Sequence, residues 1–499
     1  MKKITGIIIV LITLFSITSC DDWLDVQPEA EVDLVEQISS PEGISEMLTG
    51  VYSTLVSEKL YGRELMYGAL EDLAQNNLSQ QSTNTDRGLT NYTYDSVEAE
   101  TLINNVWLTM YNAIANNNVV LKSTEDLKSQ LQNDDYSLLK GEALALRAFM
   151  HFDLLRMYGE RYTDITKTEK QIPYVLTFER VIYPRLPAED VYNFILEDLD
   201  NAEKILKVTD PLAGGSYSGN LFNPNNRKYR FNYYAVLALK ARVYLTMGDQ
   251  TNALKYSEKV INEYNWTFTS VGDLVNNDFG QRDLLYFNEV IAALNVQKLD
   301  DYYATWFASS GNIYTTSDNT DHYARFLFEV AIQPEFPWDP MIPGPGINDI
   351  RFLYGLKTDG SGNLAQSIKY AQNTEDFDGS FPTVQKFKAV PLFRITEMML
   401  IAAEASISTN RNLSENYILQ IQNQREVITE DLTTKTEQEL MGIIRKEFRK
   451  ETFMEGQTFF MYKRLGLAQI PAMGFQSTLD LTMENYIFPL PDNEIEFGN

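Results

Sequence analysis

The sequence predicts a mainly α-helical fold, in which a tetratricopeptide-like scaffold of about four helix pairs carries a loop-rich, partly β region. Three observations predict this class. Apolar residues recur at three-to-four spacing through several long segments. Small residues stand where two antiparallel helices would meet, a pattern typical of tetratricopeptide repeats. Between about residues 266 and 385 this periodicity gives way to Gly, Pro, Asn, Asp and aromatic residues.

The N-terminal segment has the layout of a secretory signal peptide. Two lysines precede an apolar stretch from Ile4 to Ile17, which is shorter than the roughly 20 residues of a membrane-spanning helix. The run ITSC, which ends at Cys20, is similar to a bacterial lipobox, in which the cysteine carries diacylglycerol after cleavage. Cys20 is the only cysteine and can form no intramolecular disulfide. We therefore expect a signal peptide at 1–19 and a lipid anchor on Cys20.

Composition excludes several classes of protein. The chain has 69 acidic and 42 basic residues, a formal net charge of −27, and no basic stripe, so we expect no nucleic-acid partner. One cysteine and two histidines, His151 and His322, cannot form a thiolate–imidazole metal site, and we expect neither a metal nor a cofactor. With 44% hydrophobic residues the chain can bury a large core.

Helical segments follow one another through the first half of the chain. A helix is predicted around Pro41–Leu55, another within 104–121, and a third over 141–159 with Gly159 near its end. The segment YYAVLALKARVYLTMGDQTNALKYSEKVI predicts two helices that turn at Gly248 and Asp249. Ala238 and Ala253 would let these two helices approach closely.

The second half begins irregularly and returns to helix. Short strand-like pieces such as Glu289–Val296 interrupt the loops, and PLFRITEMMLIAAEASI predicts a further repeat helix. The predicted organisation begins with a signal peptide at 1–19 and a lipidated leash at 20–42. An N-terminal helical part at 43–265, a loop-rich ligand-binding region at 266–385 and a C-terminal part with the last repeat unit at 386–499 follow.

The loop-rich region has a composition suited to binding sugars. Sugars present apolar C–H faces with polar rims, so aromatic rings beside amide or acid groups fit them. The stretch DDYYATWFASSGNIY concentrates such residues, and a further tryptophan stands between prolines in FPWDP. Our candidate ligand-binding residues here are Tyr302, Tyr303, Trp306, Asn312 and Trp338. Any one of these aromatic residues could instead belong to the core, so Trp306 is either a stacking platform or a core residue.

Catalysis is the weaker hypothesis. Glu71 with Asp72, and Glu335 with Asp339, could be imagined as glycosidase carboxylate pairs, but in so acidic a chain we interpret them as parts of solvated faces. His151, between two phenylalanines in a helical pattern, is interpreted as a core histidine. The sequence contains no nucleophile elbow and no cofactor fingerprint, and we predict that the protein is not an enzyme.

Seven segments resemble, in order, the motifs of the SusD/RagB family of outer-membrane lipoproteins of Bacteroidetes. They span nearly the whole chain after the leader, and they are GEALALRAFMHFDLLRMYG, VYNFILEDLDNAEKIL, ALKARVYLTMGDQTNA, NDIRF, LFRITEMMLIAAEA, IIRKEFRKETFMEGQTFFMYKRLG and FPLPDNEIEFGN. Each motif alone is weak, and seven in order are strong.

The resemblance implies a nutrient-binding function. A member of this family would be anchored at the cell surface in the outer membrane, where it would capture an oligosaccharide and deliver it to a partner TonB-dependent, SusC-like barrel. The resemblance also implies ligand contacts from the segment before the first repeat, which here holds Asp72, Arg87, Asn91, Tyr92 and Trp107. Two alternatives remain open, namely an oligopeptide-capture subunit of the same type of transporter and, less favoured, a glycan-cleaving lipoprotein.

Overall fold

The fold is mainly helical, as the sequence predicts. The computed structural model describes residues 38–76, 88–164, 168–179, 181–276, 278–303, 331–332, 342–358, 365–371, 387–472 and 478–498. Among these residues, no helix is long and apolar enough to cross a membrane.

The first half of the described chain is built from helices of very unequal length. Their bounds are α1 Pro41–Leu55, α2 Ala69–Leu73, α3 Val97–Asp126, α4 Asn133–Tyr158, α5 Ala188–Thr209, α6 Tyr233–Met247 and α7 Gln250–Glu263. Local signals fix several of their ends. Pro41 occupies the first turn of α1, where Ser40 Oγ accepts a hydrogen bond from Gly43 N at 3.1 Å.

The α4 helix lies at the centre of this half and is buried on nearly every side. It ends at Tyr158 with Gly159 as its C-cap, near the predicted end, and packs against both α3 and α5. Gly141 explains how closely α5 can approach, because a Cβ atom at this position would lie 2.7 Å from the Leu206 side chain. The Leu206 side chain of α5 therefore packs directly over Gly141, where α4 has no side chain.

The predicted hairpin of α6 and α7 is confirmed. Gly248 ends α6 with φ +77°, a left-handed conformation that glycine adopts at little cost. Asp249 then caps α7 by accepting a hydrogen bond from Asn252 N at 3.0 Å. Ala238 and Ala253 are both fully buried, in agreement with close packing of the two helices.

The second half combines short strands with a return to helix. In chain order its elements are α8 Val271–Leu274, β1 Val290–Asn295, α9 Leu299–Tyr303, β2 Ala331–Ile332, β3 Ile342–Pro343, α10 Ile350–Gly355, β4 Leu356–Thr358, β5 Ala365–Ser367, β6 Ala389–Arg394, α11 Ile395–Ser406, α12 Arg411–Gln424, α13 Glu437–Glu451, α14 Thr458–Leu465, β7 Gln469–Pro471, β8 Thr478–Asp480 and α15 Asp492–Phe497. Helix α11 packs against α7 and α12, so it joins the two halves.

The strands form two-stranded antiparallel sheets, β1 with β6, β2 with β3, β4 with β5 and β7 with β8. The predicted strand near Glu289–Val296 is confirmed as β1, which pairs Asn295 with Ala389 at one end of β6. The repeat helix predicted from PLFR onward begins later than expected, because Pro391 to Arg394 belong to β6 and the helix starts at Ile395. Both β1 and β6 are almost entirely buried, so their apolar runs lack the alternation that marks a half-exposed strand.

Candidate functional site

A cavity of about 520 Å³ opens where three separate parts of the chain meet. The last two turns of α1 form one wall, the 3₁₀ helix Pro224–Tyr229 with Arg230 forms a second, and the segment from the end of β1 to Tyr302 forms the third. Its lining residues are Thr49, Tyr52, Ser53, Val56, Ser57, Asn226, Tyr229, Arg230, Leu294, Asn295, Val296, Gln297, Lys298 and Tyr302. We call this space the α1–β1 cavity.

Three tyrosines supply aromatic surface to the α1–β1 cavity. Tyr229 and Tyr302 are half-buried, and Tyr229 packs on Phe287 with ring centroids 5.6 Å apart. Tyr52 is buried in α1, donates its phenolic hydrogen to Glu142 Oε2 at 3.0 Å, and accepts a hydrogen bond from Phe231 N at 2.8 Å. Rings that are held by packing present apolar area at low cost in conformational entropy.

The tyrosine hydroxyls stay protonated at neutral pH. Burial raises the pKa of Tyr302, and the nearby carboxylate of Glu58 raises it further. Burial likewise raises the pKa of Tyr52 well above its ordinary value, with Glu142 as the next contribution. Both groups therefore remain neutral phenols, and the cavity's aromatic surface carries no negative charge.

Amide and hydroxyl groups line the rest of the cavity. Asn226, Asn295 and Gln297 are exposed, and Gln297 Nε2 donates to Asn295 Oδ1 at 2.9 Å. Ser57 Oγ is a buried atom with no hydrogen-bond partner among the described residues. Amides and hydroxyls both donate and accept hydrogen bonds, as sugar hydroxyls do.

Arg230 is one of the two cationic residues that line the cavity, with Lys298. Its Nη2 donates to Thr49 Oγ1 at 2.9 Å, and its guanidinium carbon lies 4.7 Å from the centre of the Tyr52 ring. Its Nη1 lies 3.8 Å from Glu142 Oε2, too far for a hydrogen bond. These contacts hold the guanidinium in a fixed plane at the cavity wall.

The two neighbouring tyrosines of α9 have different surroundings. Tyr302 lines the α1–β1 cavity, whereas Tyr303 is buried and donates its hydroxyl hydrogen to Ser367 O at 2.9 Å. Arg87, Trp306, Asn312 and Trp338, the other sequence candidates in loops, lie outside the described residues.

Trp107 lines a different cavity, of about 240 Å³, with Tyr111 and Ile182. Its ring is buried and lies 4.7 Å from those of Tyr111 and Tyr158. The structure therefore does not bring Trp107 to Tyr302, and its ligand role stays a prediction.

The interpretation of Glu71 and Asp72 as part of a solvated face is wrong. Both residues lie in the short α2 helix and are buried. Glu71 accepts hydrogen bonds from Asn76 Nδ2 at 2.8 Å and from Gly456 N at 3.1 Å. Burial nevertheless outweighs these bonds and raises the pKa of Glu71 to about 7. Asp72 remains a candidate for ligand binding only as a prediction.

His151 occupies the core, as predicted. It is fully buried in α4, its Nδ1 lies 2.8 Å from Arg147 O, and its Nε2 accepts a hydrogen bond from Val175 N at 3.0 Å. Burial lowers the pKa of His151 to about 3, so the ring is neutral with the hydrogen on Nδ1. Both ring nitrogens are engaged by backbone groups, which leaves neither for proton transfer. Across the described part of the chain, no group of three metal-ligating side chains occurs.

Several lining residues were not predicted from the sequence. Arg230, Asn295 and Gln297 belong to no motif, and the three walls come from stretches that are well separated in the sequence, at 49–57, 226–230 and 294–302. One signal was available, since the polar residues that end the apolar run of β1 mark the start of a loop, and loops often carry binding residues.

Comparison with known proteins identifies the scaffold. Residues 22–245 match the family model SusD-like, described as "Starch-binding associating with outer membrane", and residues 376–486 match the model of the SusD family. The chain belongs to the SusD/RagB family.

Relatives of this SusD/RagB protein include two from Formosa agariphila. SusD-like protein P38 is 27% identical over 250 residues, which cover 50% of this chain and 43% of the relative. SusD-like protein P25 is 24% identical over 219 residues, or 42% of this chain and 39% of the relative. The matched part thus spans less than half the length of each relative.

Solved structures of other SusD proteins share the fold over most of their length. A SusD-like carbohydrate binding protein from Bacteroides vulgatus is 19% identical with a TM-score of 0.65, and 92% of this chain covers 96% of that one. A SusD superfamily protein from Bacteroides thetaiotaomicron is also 19% identical, with a TM-score of 0.63 and coverage of 92% and 98%. At this identity the likeness shows the fold alone.

The motifs that mark this SusD/RagB chain meet in space as ion pairs. Arg147 of the first motif binds Asp198 of the second through Nε at 2.7 Å, and Arg242 of the third binds Glu397 of the fifth at 2.7 Å. Their charged residues are buried, so each motif holds another in place. The motifs are therefore structural, and none of these four residues lines the α1–β1 cavity.

The largest of these ionic groups surrounds Glu451 at the end of α13. Its carboxylate binds Arg351 Nη1 at 2.9 Å, Arg394 Nη1 at 2.9 Å and Arg425 Nε at 2.7 Å. Glu289 also binds Arg425, at 2.5 Å. Burial alone would raise the pKa of Glu451, but the three arginines outweigh it and hold that pKa well below its usual range. We call these five residues the Glu451 cluster.

Proposed function

We propose that the protein captures an oligosaccharide in the α1–β1 cavity and delivers it to a partner TonB-dependent, SusC-like transporter. The single observation that carries this proposal is the composition of that cavity, in which neutral tyrosines stand beside exposed amides. Aromatic faces fit the apolar C–H surface of a sugar, while amides orient its hydroxyls.

The size of the cavity supports the same ligand class. Its volume of about 520 Å³ lies within the range of roughly 300 to 1,000 Å³ common for small-molecule sites. A short oligosaccharide fits such a space, and the exposed amides at the rim would remain available to further sugar units.

The delivery step is supported by the family and by the leader sequence. The family model that matches residues 22–245 is described as associating with the outer membrane. A lipid on Cys20 would hold the protein at that membrane, since several acyl chains anchor stably where one chain binds only marginally. Capture beside the transporter raises the local concentration of the ligand, and no bond of the ligand needs to break.

Titration of residues 21–499 with defined oligosaccharides tests the proposal. We expect binding of at least one oligosaccharide and no release of new reducing ends. Tyr302→Ala should weaken that binding by about 1 to 2 kcal/mol, or about five- to thirtyfold, because a stacking face is lost.

The matched control is Tyr244→Ala. Tyr244 is also half-buried but packs on Tyr256 between α6 and α7, outside the cavity. It should leave affinity unchanged, and melting curves of both variants separate binding from folding. Peptide binding without oligosaccharide binding would support the oligopeptide-capture alternative instead. Release of new reducing ends would support the glycan-cleaving alternative.

A further inference from the structure

We propose that the oligosaccharide bound in the α1–β1 cavity is acidic, with carboxylate or sulfate groups on its sugars. This inference rests on the proposed function and names its ligand class. It starts from the charge of the cavity wall. Two of the lining residues are cations, Arg230 and Lys298, and no described lining residue is an acid.

This charge is opposite to that of the whole chain. Acids outnumber bases 69 to 42 in the sequence, so a wall of average composition would be acidic. The net charge of −27 repels an anionic glycan over most of the surface. A neutral sugar needs no cation for recognition, whereas an anionic sugar needs a place free of carboxylates.

Arg230 keeps part of its side chain exposed at the wall, while Thr49 and the Tyr52 ring hold it in place. Its Nη1 is buried and has no hydrogen-bond partner among the described residues, although the side chain as a whole is 22% exposed. Glu142, its nearest carboxylate, already accepts hydrogen bonds from Tyr52 and Arg227. A planar guanidinium that is held in place and partly exposed suits a carboxylate or a sulfate group.

Two of the three acids next to the cavity in sequence are paired with cations. Glu58 is paired with Arg63, and Asp300 binds Lys388 Nζ at 3.1 Å. Asp301 is exposed and does not belong to the lining. Lys298, which is exposed, stands on the same wall as Gln297 and can reach an anionic group at the rim.

Matched ligands test this inference directly. We would titrate residues 21–499 with tetragalacturonate and its methyl ester, and with a sulfated galactan tetrasaccharide and its desulfated form. The members of each pair share the same sugar backbone and differ at the charged group, and the two pairs separate the carboxylate from the sulfate. The charged member of one pair should bind at least about tenfold more tightly, the effect of one charge-assisted hydrogen bond.

Three variants assign that preference to the wall. Lys298→Gln should weaken binding of the charged ligand about threefold, as expected for an exposed ion pair, and binding of its uncharged form not at all. Arg230→Gln should weaken it about tenfold or more. The control Lys207→Gln removes an exposed lysine of α5 outside the cavity and should change neither affinity.

The outcomes separate this inference from the proposed function. Equal or tighter binding of the uncharged partner, or a charge preference that survives both cavity variants, would overturn the acidic ligand class and leave oligosaccharide capture standing. Binding of no oligosaccharide, charged or neutral, would overturn both. If Arg230→Gln lowers the melting temperature, Lys298→Gln alone decides the matter, because its side chain is exposed.

Discussion

The Glu451 cluster and the α1–β1 cavity both contain buried or partly buried cationic side chains, but these side chains have different roles in the two places. In the cluster, Glu451 binds three arginines, and all five members are buried. In the cavity, Arg230 Nη1 has no hydrogen-bond partner within the described part of the chain and lies 3.8 Å from Glu142 Oε2, and Lys298 is exposed. Charged side chains that are paired with one another inside the protein hold the fold. Charged side chains that are only partly paired are available to a ligand.

This difference also separates the family motifs from the site. Arg351, Arg394 and Glu451 belong to motifs by which the sequence resembles its family, whereas the lining of the cavity belongs to none. Motif residues pair with one another across the fold and so constrain each other. A cavity wall made of non-motif residues can change from one protein to another without loss of the scaffold.

The largest effect on stability is expected from Glu451→Gln. The substitution keeps the size of the side chain but removes the one carboxylate that Arg351, Arg394 and Arg425 share inside the protein. Breaking a buried pair in this way costs about 3 to 5 kcal/mol of unfolding free energy, measured by denaturant titration.

A surface pair provides the control for Glu451→Gln. Glu430 pairs with Lys435 in the open, and Glu430→Gln should leave the denaturation midpoint unchanged. Similar behaviour of the two variants would contradict the view that the Glu451 cluster holds the fold.

A second prediction contrasts Glu71 with Glu451, since both are buried carboxyls. Burial raises the pKa of Glu71 to about 7, because hydrogen bonds from Asn76 and Gly456 do not offset its desolvation. The folded protein therefore binds this proton more tightly than the unfolded chain. Its contribution to stability is complete below about pH 4.5 and is lost as pH rises to about 7.

The measurement compares wild type with Glu71→Gln between pH 4 and 8. The unfolding free energy of wild type should fall by about 3 kcal/mol more than that of the variant as pH rises through this range. Glu447→Gln should not remove this slope, because Lys450 and Arg351 overcome burial and lower the pKa of Glu447 to about 2. Parallel curves for wild type and Glu71→Gln would show that Glu71 titrates normally.

The sequence predicted the scaffold better than the site, for physical reasons. Helix α6 and its turn at Gly248 follow from periodicity and one glycine. Strand β6 did not, because its buried apolar run continues without a break into α11. Tyr302 and Tyr303 carry the same local signal, but successive residues of a helix point about 100° apart, so one lines the cavity and the other enters the core.

A smaller loss of stability is expected where the scaffold helices touch. Ala238 is fully buried in α6, which packs against α7, so Ala238→Leu would overfill that contact and cost about 1 to 3 kcal/mol. Val208→Leu adds bulk at an exposed position of α5 and should be neutral. Equal melting temperatures of both variants and wild type would show that Ala238 meets no partner helix.

The smallest effect on stability, and the sharpest test of the comparison, is expected from Gln297→Ala at the cavity rim. Gln297 is exposed, and its described side-chain hydrogen bond goes to Asn295, also exposed. Its loss should change the unfolding free energy by less than about 0.5 kcal/mol.

If Gln297 orients a sugar hydroxyl, the same substitution should weaken oligosaccharide binding about two- to tenfold, since one hydrogen bond contributes roughly 0.5 to 1.5 kcal/mol. Gln250→Ala, an equally exposed glutamine at the start of α7, should change neither quantity. If Gln297→Ala loses stability but keeps its affinity, Gln297 belongs to the scaffold. The distinction between polar groups that are paired inside the protein and polar groups that are available to a ligand would then not hold at the cavity rim.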